Sequence, residues 1–372
     1  MTKPLKIIAA NDVIGALGAI ADVLDDKIAL FVTSPEVNGK MPEVLGLPSQ
    51  VDDDVALIVE TSGSTGNPKR IAISREALIA SAHAAAFALD AEEHDSQWLL
   101  TLPINYIAGL NVLVRSAIAG RPPVILNTAV PFTPDAFGQA ASHLKAEKRF
   151  TSLVPAQLAR LSLAASHDKH LLQQLRRFDA ILVGGQAVDF NVIDQMKGLG
   201  VTVVTTYGMT ETCGGCVFNG MPLGGVEFRL IEGRVAIKAP MLANVETDES
   251  GFFITQDAGE VDENGHLSIL GRLDRVIISG GIKISLDRVE QLALRVNGVD
   301  DVAAHALQDD KWGERVGIAY VGSPEVADDL ARSLAQELGP AGKPVRVLRV
   351  DRLPKTANAK NDLRSVKKLF EG

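Results

Sequence analysis

Residues 61–69, Thr-Ser-Gly-Ser-Thr-Gly-Asn-Pro-Lys, constrain this chain more than any other stretch. Thr61, Ser62, Ser64 and Thr65 supply hydroxyls, Gly63 and Gly66 supply bare backbone, and Lys69 supplies a positive charge. The run at 55–59 before them is continuously apolar, as a strand buried on both faces would be. Residues 71–73 predict a second strand, and Ser74 stands where it would N-cap a helix over 75–89. The stretch therefore reads as a glycine and hydroxyl loop between two core strands. Glycine lets backbone N–H groups approach an anion, hydroxyls add donors and lysine adds charge, a set suited to a polyphosphate. The loop is no Walker sequence, and G-x-G-x-x-G is absent from the chain. Taken only as a Ser/Gly-rich loop, it would also suit a polar hairpin turn.

The ordered string resembles the phosphate loop of the adenylate-forming superfamily, which includes acyl- and aryl-CoA ligases, luciferases and the adenylation domains of peptide synthetases. Further segments extend the resemblance from Thr61 to Lys360. Residues 205–212, Thr-Thr-Tyr-Gly-Met-Thr-Glu-Thr, follow an apolar run at 201–204 and match the superfamily's Y-G-x-T-E. The resemblance implies that Tyr207 and Gly208 lie beside adenine, that Thr210 bonds the α-phosphate and that Glu211 holds Mg²⁺. A carboxylate next to ATP makes sense only with a cation between them. The glycine pair Gly184-Gly185, with Gln186, follows an apolar run at 180–183 and is implied to back the adenine. Asp257 stands where the superfamily holds both ribose hydroxyls, with Gln256 in place of the usual glycine. Residues 271–290 form a long third motif. In it Arg272 is implied to reach the ribose, Asp274 to be the hinge, and Gly280-Gly281 to line the CoA tunnel. Arg275 replaces the acidic residue common beside the hinge. Residues 354–360 match P-x-T-x-x-G-K with Ala359 for glycine, and make Lys360 the lysine of adenylate formation.

The substrate end is read from 98–120. Pro103 and Gly109 match a superfamily segment that lines the acyl pocket, with Tyr106 where histidine is usual. Arg115 follows on an expected helix facing the same cavity, with Gly208, Gly214 and Gly215 as further lining. The short N-terminal region, residues 112–120 and residues 207–220 resemble the actinobacterial 2-succinylbenzoate–CoA ligases of menaquinone biosynthesis. Such an acid has two carboxylates, and the one not activated gives Arg115 a purpose. Another aryl- or acyl-CoA ligase, or a nucleotide-binding relative without turnover, stays open on Tyr106, Gln256 and Ala359.

Composition narrows the partners. The 372 residues suffice for two or three domains and a sizeable core. A net charge of −9 and the lack of a basic cluster argue against nucleic acid. No signal sequence is evident, and Pro103, Asn105, Gly109 and Asn111 interrupt the longest uncharged stretch, so no membrane partner is expected. The only cysteines, Cys213 and Cys216, form C-G-G-C. A redox pair would be expected to open a helix and a zinc site would need two more ligands, so reduced thiols in a glycine turn are expected; His167 and His170 are expected in solvent.

The expected fold is α/β. It has a large layered N-terminal domain of the adenylate-forming type (1–270), a hinge (271–274) and a small mobile α+β C-terminal domain (275–372). The resemblance implies ATP, Mg²⁺ and CoA acting on a small-molecule aryl acid in the cytoplasm; a homodimer is compatible with it.

Overall fold

The computed structural model describes residues 1–61, 69–92, 94–186, 188–356 and 360–371. By mutual packing the chain divides into two units. The first is Met1–Gly185, Val192–Phe228 and Ile237–Phe253; the second is Gln186–Asn191, Arg229–Ala236 and Ile254–Gly372. Strand Leu267–Arg272 is thus grouped with the C-terminal residues.

The first unit holds two sheets. In one, strands Thr2–Ala9, Ala29–Thr33 and Val55–Thr61 run parallel, and Lys69–Ser74 closes that edge antiparallel. In the other, Ser96–Leu100, Val124–Ile125, Lys148–Leu153, Ala180–Gly184 and Val203–Met209 are parallel, and Gly214–Phe218 and Met221–Pro222 continue it antiparallel. Strands Ala29–Thr33 and Ala180–Gly184 are almost wholly buried, which is why they read as unbroken apolar runs.

Of the helices that pack against these sheets, three bear on the site. Val13–Leu24 is N-capped by Asp12, whose carboxylate accepts from the Gly15 N–H at 2.9 Å. Arg75–Ala88 is N-capped by Ser74, which accepts from the Ala77 N–H at 3.1 Å. Ile107–Ile118 buries most of its length and packs on both other helices and on the second sheet. Its burial all round explains the long uncharged stretch in the sequence. Among the described residues no helix is long and apolar enough to cross a membrane.

In the second unit, Val276–Ser279, Ile282–Ser285, Val299–Asp309 and Gly313–Gly322 form an antiparallel sheet, joined by Arg346–Arg349 in parallel. Helices Leu286–Ala293 and Ala327–Leu338 supply Val289, Leu292, Leu330 and Leu334 to its core around Tyr320. Strands Phe253–Val261 and Leu267–Arg272 pair antiparallel, setting Asp257 opposite Arg272.

Candidate active site

In open α/β sheets ligands gather beyond the carboxyl ends of parallel strands. The motifs of the first unit sit there. Thr61 ends strand Val55–Thr61, the glycine pair ends Ala180–Gly184, and Thr210 and Glu211 follow Val203–Met209. The pocket segment at 101–106 follows strand Ser96–Leu100 in the same way. Ser62, Gly63, Ser64, Thr65 and Gly66 lie outside the described residues, as does Ala359.

The residues on either side of the glycine and hydroxyl stretch, Thr61 and Lys69, are described. The Thr61 hydroxyl donates to the Lys69 carbonyl at 3.2 Å, which closes the loop at its base. The Lys69 ammonium lies 3.7 Å from Glu211 Oε1, although 142 positions separate the two residues (211 less 69). Lys69 is largely exposed, whereas the Glu211 carboxylate is mostly shielded. Glu211 belongs to the 3₁₀ turn Thr210–Thr212, and its carbonyl accepts from the Ala243 N–H at 2.8 Å. A shielded carboxylate beside a lysine, at the end of a strand and next to the buried Thr210, is a donor set that fits a hard divalent cation and a phosphate. Tyr207 and Gly208 are half-buried on the strand that leads into this turn. Gly185 turns the chain at φ 82°, and Gln186 follows it.

At the acid end, Tyr106 is the N-cap residue of helix Ile107–Ile118 and is half-buried. Burial pushes its phenol up, and a hydrogen bond from Asn105 offsets part of that. Arg115 is 8% exposed and its guanidinium lies 5.0 Å over the Trp98 ring. No carboxylate pairs with Arg115 among the described residues, and its Nε is buried without a partner. Burial brings its pKa down to about 10, with the Cys213 side opposing slightly, so it stays charged through the neutral range. A buried cation with no counter-ion is costly unless something anionic arrives to pair with it. Gly214 is buried, and Gly208 pairs with Gly215 at a bulge in the hairpin. The direction in which a side chain would leave each of these glycines is occupied by protein. A Cβ on Gly208 would strike the Gly214 carbonyl, one on Gly214 the Asn111 amide, and one on Gly215 would crowd the Phe218 ring.

Cys213 and Cys216 are free and buried, and burial raises both thiols to about 12. Among the described residues no group of His, Cys, Asp and Glu is arranged to hold a metal ion, and His167 and His170 are exposed.

The second unit, taken by itself, carries the other residues singled out in the sequence. Gln256 points outward from strand Phe253–Val261 while Thr255 and Asp257 point inward, so a side chain in place of glycine is accommodated by the pleat. The Asp257 N–H donates to Thr255 Oγ1 at 3.1 Å. Arg272 Nη1 lies 4.0 Å from Asp257 Oδ1, and its guanidinium makes a two-pronged pair with Asp274 at 2.8 and 2.7 Å. That pair holds the Asp274 carboxyl below the usual range. Arg275, unusual beside a hinge, is taken up by Asp287 and by Glu290 at 2.7 Å. Asp287 also accepts the Arg272 N–H at 2.6 Å, so helix Leu286–Ala293 grips the expected hinge from both sides.

Lys360 is exposed by area, yet its ammonium sits in a crowded corner; desolvation first, then Arg272, lower its pKa, while Asp257 opposes them. Its carbonyl accepts from the Thr356 N–H at 2.8 Å, which closes the lysine loop. Gly280 and Gly281 both adopt positive φ, but differ in surroundings. A Cβ on Gly280 would run into the Trp312 ring, whereas Gly281 faces open space.

Sequence reasoning missed Trp98, Ser81, Asn111, Asp287 and Trp312. Only Asn111 carried a signal, since it precedes Arg115 by one helical turn.

The chain matches the AMP-binding enzyme family over residues 14–247 and the AMP-binding enzyme C-terminal domain over 288–360. It belongs to that family. Among relatives in the family, a probable 2-succinylbenzoate–CoA ligase of Mycobacterium tuberculosis (strain CDC 1551 / Oshkosh) is 37% identical, covering 100% of this chain and 99% of that one. A 2-succinylbenzoate–CoA ligase of Listeria monocytogenes is 29% identical over 92% of this chain and 76% of its own. The fold is shared with a variant of E. coli MenE with bound OSB-AMS (TM-score 0.79, 22% identity, 99% of this chain and 88% of that one). It is shared also with Bacillus subtilis o-succinylbenzoate CoA synthetase in complex with ATP and magnesium ion (TM-score 0.74, 22% identity, 98% and 89%).

Proposed function

We infer that this chain is an acid–thiol ligase that activates 2-succinylbenzoate with ATP and transfers the acyl group to CoA, in menaquinone biosynthesis. The observation that carries the reaction class is the meeting of Lys69 with Glu211 at the carboxyl ends of the strands. The full-length likeness to 2-succinylbenzoate–CoA ligases supports the acid. Arg115 agrees with it, because a buried cation without a counter-ion suits the carboxylate that does not react.

In the first step a carboxylate oxygen of the acid attacks the α-phosphorus of ATP and pyrophosphate leaves, giving the acyl-adenylate. In the second, the CoA sulfur attacks the acyl carbon, the thiol proton is lost and AMP leaves. Thr61, the glycine and hydroxyl loop and Lys69 hold the phosphates. Thr210 bonds the α-phosphate, and Tyr207, Gly184, Gly185 and Gln186 flank the adenine. Glu211 would hold Mg²⁺, which when bound would supply positive charge to the phosphate oxygens. Asp257 and Arg272 take the ribose, and Lys360 stabilises charge in adenylate formation. Gly281 gives the CoA thiol its approach after a turn at Asp274. Catalysis on this reading is positioning and charge neutralisation. Free buried thiols fit a cytoplasmic setting, where ATP and CoA are supplied.

Pyrophosphate release on mixing the protein with Mg-ATP and 2-succinylbenzoate, without CoA, tests the reading. Release dependent on the acid is expected. ATP binding without release would leave only a nucleotide-binding protein.

A further inference from the structure

Two buried side chains from different helices converge on one backbone oxygen, the carbonyl of Cys213. Asn111 Nδ2 donates to it at 2.8 Å and Ser81 Oγ at 3.1 Å. Asn111 is 4% exposed, Ser81 1% and Cys213 not at all. Cys213 closes the turn Thr210–Thr212 at φ 51°, a left-handed conformation that a residue with a side chain seldom adopts. Such backbone persists only where its surroundings fix it. The Thr212 hydroxyl adds a donor bond to the Gly214 carbonyl at 2.7 Å, and accepts the Met209 N–H at 2.9 Å. Gly214 follows at φ 94°, and a Cβ there would lie 2.3 Å from Asn111 Nδ2. Gly214 is therefore glycine because the Asn111 amide passes it to reach the carbonyl.

The helices that supply the donors are those that lead away from the substrate motifs. Ser81 lies on Arg75–Ala88, which follows directly from the strand leaving the phosphate loop. Asn111 lies on Ile107–Ile118, one turn before Arg115 and on the same face. We propose that Asn111, seconded by Ser81, is a positioning residue for adenylate formation: it clamps the Cys213 carbonyl and so fixes the left-handed turn that aims Thr210 and Glu211. The inference rests on the assignment of Glu211 to Mg-ATP in the proposed function, and it gives Gly214 a role in the clamp.

The test uses the full chain. Calorimetry of ATP binding across a Mg²⁺ series reads the turn without any acid, and pyrophosphate release reads the chemistry. Asn111→Ala should raise the Mg²⁺ needed for half-maximal ATP binding by about tenfold. It should lower kcat for pyrophosphate release by about 10- to 100-fold, in line with the loss of an outer-shell partner, and leave KM for the acid within about threefold. Gly214→Ala should damage the parent protein, but should add less than its full effect to Asn111→Ala, because the amide it collides with is gone. A folded Asn111→Ala protein with a lowered melting temperature but an unchanged Mg²⁺ series and kcat would overturn the proposal, as would full multiplicativity of the two substitutions. Should Asn111→Ala not fold, Ser81→Ala is read the same way: a smaller shift in the Mg²⁺ series supports the clamp and no shift overturns it. If the parent releases no pyrophosphate with 2-succinylbenzoate while the Mg²⁺ series still shifts, the acid assignment fails and the clamp stands.

Discussion

Replacing Arg115 with leucine should push the fold and the acid affinity in opposite directions. The guanidinium is 8% exposed, its Nε has no partner, and burial brings its pKa from the ordinary arginine range to about 10. Keeping it charged in the empty protein at pH 7 therefore costs about 3 kcal/mol relative to water. A base whose folded pKa is depressed carries that cost wherever it is still charged in the fold, so the cost is full below about pH 10 and fades above it. Leucine removes the cost and loses the stacking on Trp98, which contributes about 1–2 kcal/mol at a desolvated site. Arg115→Leu should thus leave stability unchanged or raise it by about 1–2 kcal/mol, read as a melting temperature no lower than the parent's. On the proposed assignment the unreacted carboxylate would lose its buried cation, a loss of about 2–5 kcal/mol. That corresponds to a rise of about 30-fold or more in KM for 2-succinylbenzoate, with KM for ATP little changed. An analogue without that carboxylate should bind both proteins alike. An unaltered KM for the diacid, or a marked fall in melting temperature, would refute the reasoning and return Arg115 to a structural role.

The remaining expectations concern the thiols and the small domain. Cys213 and Cys216, with thiols raised to about 12, should resist alkylation in the folded protein at pH 8, and changing both to serine should preserve the Mg²⁺ requirement; activity that tracks zinc content or redox potential would contradict this. Lys360→Ala should slow adenylate formation by about 100- to 10,000-fold yet still convert prepared acyl-adenylate and CoA to thioester. Gly281→Asn, which tolerates the φ of 84° but puts a side chain into open space, should do the reverse; equal loss of both steps in both variants would end the division of labour. Because desolvation and Arg272 lower the Lys360 pKa, the alkaline fall of adenylate formation should come below the ordinary lysine pKa of about 10.4, and Asp257→Asn should move it lower still. A limb that moves upward in Asp257→Asn would show that Lys360 does not report it.

How far the sequence alone reaches can be judged element by element. Strand Ala180–Gly184 and the Ser74 cap are local features, and residue type placed them. Prediction lapsed where pairing across the chain decides. After helix Pro134–Ser142 the chain is drawn as Lys148–Leu153 into the sheet between Ser96–Leu100 and Ala180–Gly184, a placement that only those distant strands decide. Strand Val203–Met209 extends through Tyr207 and Gly208, since Gly214–Phe218 pairs with that end. The ordered motifs made the nucleotide site legible, for they are contiguous strings. The stacking of Arg115 on Trp98, the convergence of Asn111 and Ser81 on Cys213, and the packing of Trp312 on Gly280 join residues remote in sequence, and no local pattern announces them.

The identity of the acid distinguishes this ligase from others that share its chemistry. With Mg-ATP and CoA present, the protein should be offered 2-succinylbenzoate together with benzoate, other aryl acids and short fatty acids in one mixture, and the CoA thioesters formed should be identified by mass. 2-Succinylbenzoyl-CoA should be the dominant thioester, with AMP and pyrophosphate formed in equal amounts. A different thioester dominating the mixture, or nucleotide binding with no thioester at all, would contradict that expectation.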